Sequence, residues 1–153
     1  MARADPLADD RQSLYERDFC LWLEQQAALL RERRFDELDL ANLVEEIEAM
    51  ARRDKTAIKN NLVVLLTHLL KHQFQPAQRS SSWRGSILEH RRRLRDDFEE
   101  SPSLRPHATE VFLRAYADAR EQASAETGLP LRSFPKSTAY TLEQTLDPKF
   151  LPE

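Results

Sequence analysis

The chain has 153 residues, 41% of them hydrophobic and 32% charged, with a formal net charge of −3; that size can bury a self-sufficient core, and that balance excludes both a wholly disordered chain and a whole-molecule polyanion binder. Its two glycines are too few for dinucleotide or phosphate-binding loops, which need several at fixed spacing. The single Cys20 excludes an intrachain disulfide and fits a reducing compartment, the polar opening Met1 to Asp10 lacks the apolar run of a secretion signal, and the longest apolar stretch, around Leu62 to Leu70, is too short to span a bilayer.

Residues 1–12 show no apolar periodicity and are expected to form a loose tail. A first helix is predicted from Ser13 or Asp18 to about Arg33, with Tyr15, Phe19, Trp22, Leu23, Gln26 and Leu30 on one face. Asp39 is a natural N-cap for a second helix whose apolar stripe is Leu40, Leu43, Val44, Ile47 and Met50. The pattern lapses from Ala51 to Lys55, and Asp54 is placed to cap a third helix ending near Gln73. The alternative is that residues 39–73 form one long, kinked helix. Ile58, Leu62 to Leu66, Leu69 and Leu70 make the third segment apolar almost all round, as befits the centre of a bundle.

A polar loop at 76–82 leads to a fourth helix, capped by Ser81 or Ser82 and carrying Trp83, Ile87, Leu94 and Phe98. Ser103 caps a fifth, with Pro106 in its tolerant first turn. Its face holds Ala108, Val111, Phe112, Ala115, Tyr116, Ala119 and Ala123, and Gly128 followed by Pro130 ends it. The remainder reads as an extended, proline-containing segment anchored by Phe134, Tyr140 and Phe150. One short helix is expected there, behind the capping box Thr141-Leu142-Glu143-Gln144. No stretch alternates with a period of two, so no strands are predicted. The expected architecture is all-α: a single-domain bundle of about five main helices over residues 13–129. An extended C-terminal segment, 130–153, with one short helix should pack on it.

Several runs recur in a known order: Arg34-Phe35-Asp36-Glu37-Leu38-Asp39-Leu40, Glu45-Glu46-Ile47-Glu48, His68-Leu69-Leu70-Lys71, Ser82-Trp83-Arg84, Ser101-Pro102-Ser103-Leu104-Arg105, Gly128-Leu129-Pro130 and Tyr140-Thr141-Leu142-Glu143-Gln144. With this set the chain resembles bacterial domain-of-unknown-function family 29 from Tyr15 to Pro152. The resemblance implies an all-helical cytoplasmic domain. It implies no activity, so no catalytic residue is carried over. Members often have Trp where this chain has His72, Gly at Ala51 and Gln at His90; a site built on either histidine would be peculiar to this chain.

Three constellations could carry chemistry. Asn61, His68 and His72 lie within about 40° of one another on a helical wheel, a polar seam on an apolar helix. Two histidines at i and i+4 can chelate a metal, but no third ligand is identifiable, so no metal is expected. The plainer reading makes His68 a hydrogen-bonded interior histidine and His72 a partly exposed residue at the helix end. Arg84, Arg91 and Arg95 likewise lie within about 40°, beside Trp83. From Gln78 to Arg95 there are six arginines and one glutamate, whereas Asp36 to Glu48 holds six acids and no Lys or Arg. The expectation is that these arginines meet carboxylates, for which the acidic run is the nearest large supply. The sharper reading is a phosphate or RNA groove with Trp83 as a stacking platform. Third, Arg84 and His90 have the spacing of the Arg–His element of HEPN-like ribonucleases, yet a regular helix splays them about 120° apart.

No complete catalytic set emerges, no cofactor is implied, and no membrane role is expected. The sequence is read as a non-enzymatic protein-interaction module, with a protein partner or a second copy as its target. The alternative is a nucleic-acid-binding protein or HEPN-like ribonuclease using the arginine-rich fourth helix.

Overall fold

The computed structural model describes residues 14–153. The expected tail at 1–12 and the alternative helix start at Ser13 lie outside the described residues. Four long helices form: α1 (Phe19–Arg31), α2 (Leu40–Phe74), α3 (Ser81–Glu100) and α4 (Leu104–Thr127), followed by the short α5 (Leu142–Leu146). Among the described residues there is no strand, and no helix is long and apolar enough to cross a membrane. The chain divides into two compact units, with the division falling inside α2 between Arg52 and Arg53.

In the N-terminal unit, Asp18 caps α1 by accepting the Leu21 N–H at 3.0 Å. The helix ends on Arg33, which adopts a left-handed φ of 58° while the Arg34 N–H reaches back to the Leu29 carbonyl at 2.9 Å. This is a glycine-type helix stop carried by a residue with a Cβ. Asp39 then organises the turn into α2. Its backbone N–H donates to Gln26 Oε1 at 2.8 Å, and its carboxylate accepts from Trp22 Nε1 at 3.1 Å. Trp22, Gln26 and Leu29 are the buried side of α1.

The lapse at Ala51 to Lys55 is not a break. α2 is one helix of 35 residues, about 52 Å long at 1.5 Å per residue. An interruption of the apolar pattern is not a helix stop when Ala, Arg and Lys are strong helix formers. Arg52 also ties successive turns together, reaching Glu45 at 2.7 Å and Glu48 at 3.8 Å. The expected second and third helices are therefore a single element.

The C-terminal unit is built around the second half of α2. Ile58, Leu62, Leu65, Leu66, Leu69 and Leu70 are fully buried there, and Ile87 and Leu94 of α3 join the same core. Small residues of α4, Ala108, Ala115, Ala119 and Ala123, are buried with Phe112 and Tyr116; the missing side-chain bulk lets the backbones approach. The cap of α3 is Ser80 rather than Ser81 or Ser82, its hydroxyl accepting the Trp83 N–H at 3.3 Å. Ser103 stands at the start of α4 without a side-chain cap bond, and Gly128 closes that helix in the left-handed conformation. Both bonds of the Thr141–Gln144 capping box are present.

The stretch from Pro130 has no strand partner for its carbonyls, yet it runs against the core. Side chains supply the donors that secondary structure would otherwise provide. Tyr116 donates to the Pro135 carbonyl at 2.9 Å, and Arg120 reaches the Leu131 and Phe134 carbonyls. Phe134 and Tyr140 lie in the core, with Phe150 packed against it.

Candidate functional site

The arginine-rich face of α3 splits into two kinds of residue. Arg91 points inward and is only 7% exposed. Its Nε donates to the Thr145 carbonyl and its Nη2 to the Phe150 carbonyl, both at 2.8 Å. It therefore clamps the end of α5 and the turn that follows it. Among the described residues no carboxylate lies within ion-pair distance of this guanidinium. Burial lowers its pKa, while Asp147 favours its charge from farther away. The outer arginines are paired locally: Arg92 and Arg93 with Glu89, Arg92 and Arg95 with Asp96. The acidic run Asp36 to Glu48 pairs locally as well, Glu37 with Arg34 and Glu45 with Arg52. The expectation that Arg91 meets a carboxylate is thus corrected. Its acceptors are main-chain carbonyls, because the C-terminal segment brings unpaired ones to that spot.

Beside Arg91 opens a cavity of about 520 Å³. Leu88 and Phe98 of α3 and Leu146 and Pro148 of the C-terminal segment supply its apolar walls, and Arg95 and Arg105 border it. The Arg105 guanidinium sits over the Phe98 ring at 5.6 Å and contacts Glu143 at 3.4 Å. One carboxylate, Glu99, also lines the space. Arg84 is elsewhere, lining a smaller cavity with His72, Arg79 and Leu151. Trp83 carries Lys71 Nζ at 4.8 Å from its ring centroid, and that ammonium is bound to Glu126 at 2.6 Å. The four residues Trp83, Arg84, Arg91 and Arg95 therefore do not form one continuous surface. Phe98 is two turns along the same helix and was part of its predicted apolar face, whereas Arg105 and Leu146 come from other elements.

The polar seam resolves into three separate hydrogen bonds. Asn61 Oδ1 accepts from His90 Nδ1 at 2.8 Å. His68 Nδ1 donates to the Val64 carbonyl one turn earlier at 2.8 Å. His72 Nδ1 donates to the Pro152 carbonyl at 3.0 Å. His72 is buried rather than partly exposed, because the last residues of the chain cover the end of α2. Burial lowers the pKa of His72, and burial together with Arg93 and His68 lowers that of His90. Arg84 lines the cavity beside His72, whereas His90 is bound to Asn61, in keeping with their separation on the helix. Among the described residues no group of three or more His, Cys, Asp or Glu is placed to hold a metal ion.

A second candidate surface lies in the N-terminal unit. The stripe on the first part of α2 has Leu40, Ile47 and Met50 between 60% and 65% exposed, with Val44 also exposed. Only Leu43 of the predicted stripe is partly covered. Phe19, Leu23 and Leu30 of α1 are exposed too. Periodicity identified these residues as an apolar face, but periodicity is silent on whether a face finds a partner within its own chain.

The family model described as Domain of unknown function DUF29 matches residues 14–151. No curated protein and no solved structure matches the chain.

Proposed function

The chain belongs to the Domain of unknown function DUF29 family, and from that premise we propose that it is a non-enzymatic protein-interaction module whose N-terminal unit pairs with a second copy of itself. One observation carries the reading: the exposed stripe Leu40, Val44, Ile47 and Met50 on a regular helix. Contiguous apolar surface of this kind is rare on a monomer and marks an association face. A second copy suits the stripe as its occupant. Glu45 and Glu48 beside it are already met by Arg52 of the same helix, so a partner has to bring an apolar face rather than a compensating charge. A second copy brings that same face, and one patch is complementary to itself, as a two-fold interface requires.

The nucleic-acid reading rests on arginine density alone. Against it weigh the guanidiniums of Arg92 and Arg93, already hydrogen-bonded to Glu89.

Sedimentation velocity on the full chain over a range of concentrations tests the proposal. The wild type is expected to dimerise, and Ile47→Glu to remain monomeric with unchanged helicity, because the replaced side chain is exposed. A wild type that stays monomeric at high micromolar concentration, or an Ile47→Glu variant that dimerises equally well, overturns it.

A further inference from the structure

We propose that the cavity beside Arg91 binds a small amphiphilic monocarboxylate, with the carboxylate on Arg91 and the apolar body against Leu88, Phe98 and Leu146. Arg91 is buried, and its two bonds to carbonyls use one hydrogen of Nε and one of Nη2. A guanidinium has five N–H donors, so both hydrogens of Nη1 and the second of Nη2 remain. Three free donors are enough to serve the two oxygens of a carboxylate. Main-chain carbonyls satisfy hydrogen bonds but bring no negative charge into contact with the guanidinium, and Asp147 acts only from farther away. A buried cation in that state is costly until an anion joins it.

The surroundings narrow the class of anion. At about 520 Å³ the space falls within the range of ordinary small-molecule sites. Its walls are mostly carbon, and Leu88 stands at it 66% exposed, a large aliphatic side chain without cover. Arg92 and Arg95 are engaged by Glu89 and Asp96, and Glu99 adds a negative charge to the lining. One buried cation with no carboxylate in contact, in such a setting, calls for a single negative charge on an apolar body. A phosphate dianion or a nucleic-acid backbone would bring more charge than the site can meet. Arg105, held over Phe98 and only loosely by Glu143, is placed to add a second donor at the rim.

The same chemistry could come from a free medium-chain acid or from the C-terminus of a peptide ending in an apolar residue. Calorimetry on the full chain, with amide chemical shifts to locate the site, uses two probes: octanoate, and acetyl-Gly-Gly-Leu with a free carboxylate. Octanol and the amidated peptide are the neutral controls. At least one acid should bind saturably and shift amides near Leu88, Phe98 and Leu146, with its neutral control weaker by about tenfold or more, as loss of a charge-assisted bond requires. Saturation by octanoate alone identifies a free acid, by the peptide alone a chain terminus. Leu88→Asp, at an exposed position that should not disturb folding, should abolish binding. Failure of both acids to saturate in the millimolar range, equal binding by a neutral control, or full binding by Leu88→Asp overturns the proposal.

Discussion

Arg91 shows how a residue's role depends on where its partners sit. A cationic helix residue was expected to find a carboxylate, yet it donates to two carbonyls that lie 54 and 59 positions later in the chain. Main-chain acceptors have no signature in sequence, so only the fold could reveal them. Because Arg91 is buried and the bonds are charge-assisted, Arg91→Ala is expected to cost roughly 2–3 kcal/mol, leaving both carbonyls without this donor. Arg91→Lys should recover only part of that, since an ammonium lacks the planar fork. Arg95, exposed and paired with the adjacent Asp96, should tolerate alanine with little change, as surface ion pairs generally do. Urea denaturation of the three variants checks the order; equal midpoints for Arg91→Ala and Arg95→Ala would refute it.

At the scale of elements, α2 carries the largest difference between pattern and structure. Hydrophobic periodicity reports which side of a helix finds company, and helix propensity reports whether the helix continues. From Ala51 to Lys55 the first signal lapses while the second stays strong. The residues there are exposed, so no core demands a stripe, and the backbone hydrogen bonds run on regardless. A proline at Ala51 therefore meets a helix interior. It removes one backbone bond and clashes with the preceding turn, at a cost of about 3 kcal/mol. Ala51→Pro should lower both the unfolding midpoint and the helical circular dichroism signal. If a loop joined two helices at this point, the substitution would instead be nearly neutral.

The molecule as a whole should lose stability in two steps on acidification. His72 and His90 are held below the usual histidine value of 6.5. Burial is the first cause for both; Arg79 and Arg84 add to it for His72, and Arg93 and His68 for His90, where Glu89 opposes them. The unfolded chain then takes up protons before the folded one. The resulting stability is complete above about 6.5 and is lost as pH falls below it. Glu126 follows at lower pH. Burial alone would raise its pKa, but hydrogen bonds from Gln122 and Lys71 outweigh that and hold it below 4.5. Its contribution disappears as pH drops through the folded value. Melting temperatures between about pH 8 and pH 2 should trace both steps. The double variant His72→Gln, His90→Gln, which keeps a donor at each site, should flatten the upper one. An unchanged upper step in that variant would place its origin elsewhere.

The sequence by itself determined the helical class, the family resemblance, the central burial of Leu62 to Leu70, the glycine stop at Gly128 and the Thr141–Gln144 box. The resemblance rests on the order of short runs along the chain, and each of the others on residues within a few turns of one another, where spacing and propensity act directly. The candidate site was legible only in its most local part. Arg91 stood out as a member of a basic stripe, with Leu88 and Phe98 near it on the same helix, while Arg105 and Leu146 became its neighbours only when α3, α4 and the C-terminal segment came together. The covering of His72 by the chain end and the uncovered state of Leu40, Ile47 and Met50 were likewise settled at that level. Amphipathic spacing specifies that a face is apolar. Whether another part of the chain, or another molecule, is there to cover it depends on contacts far apart in sequence.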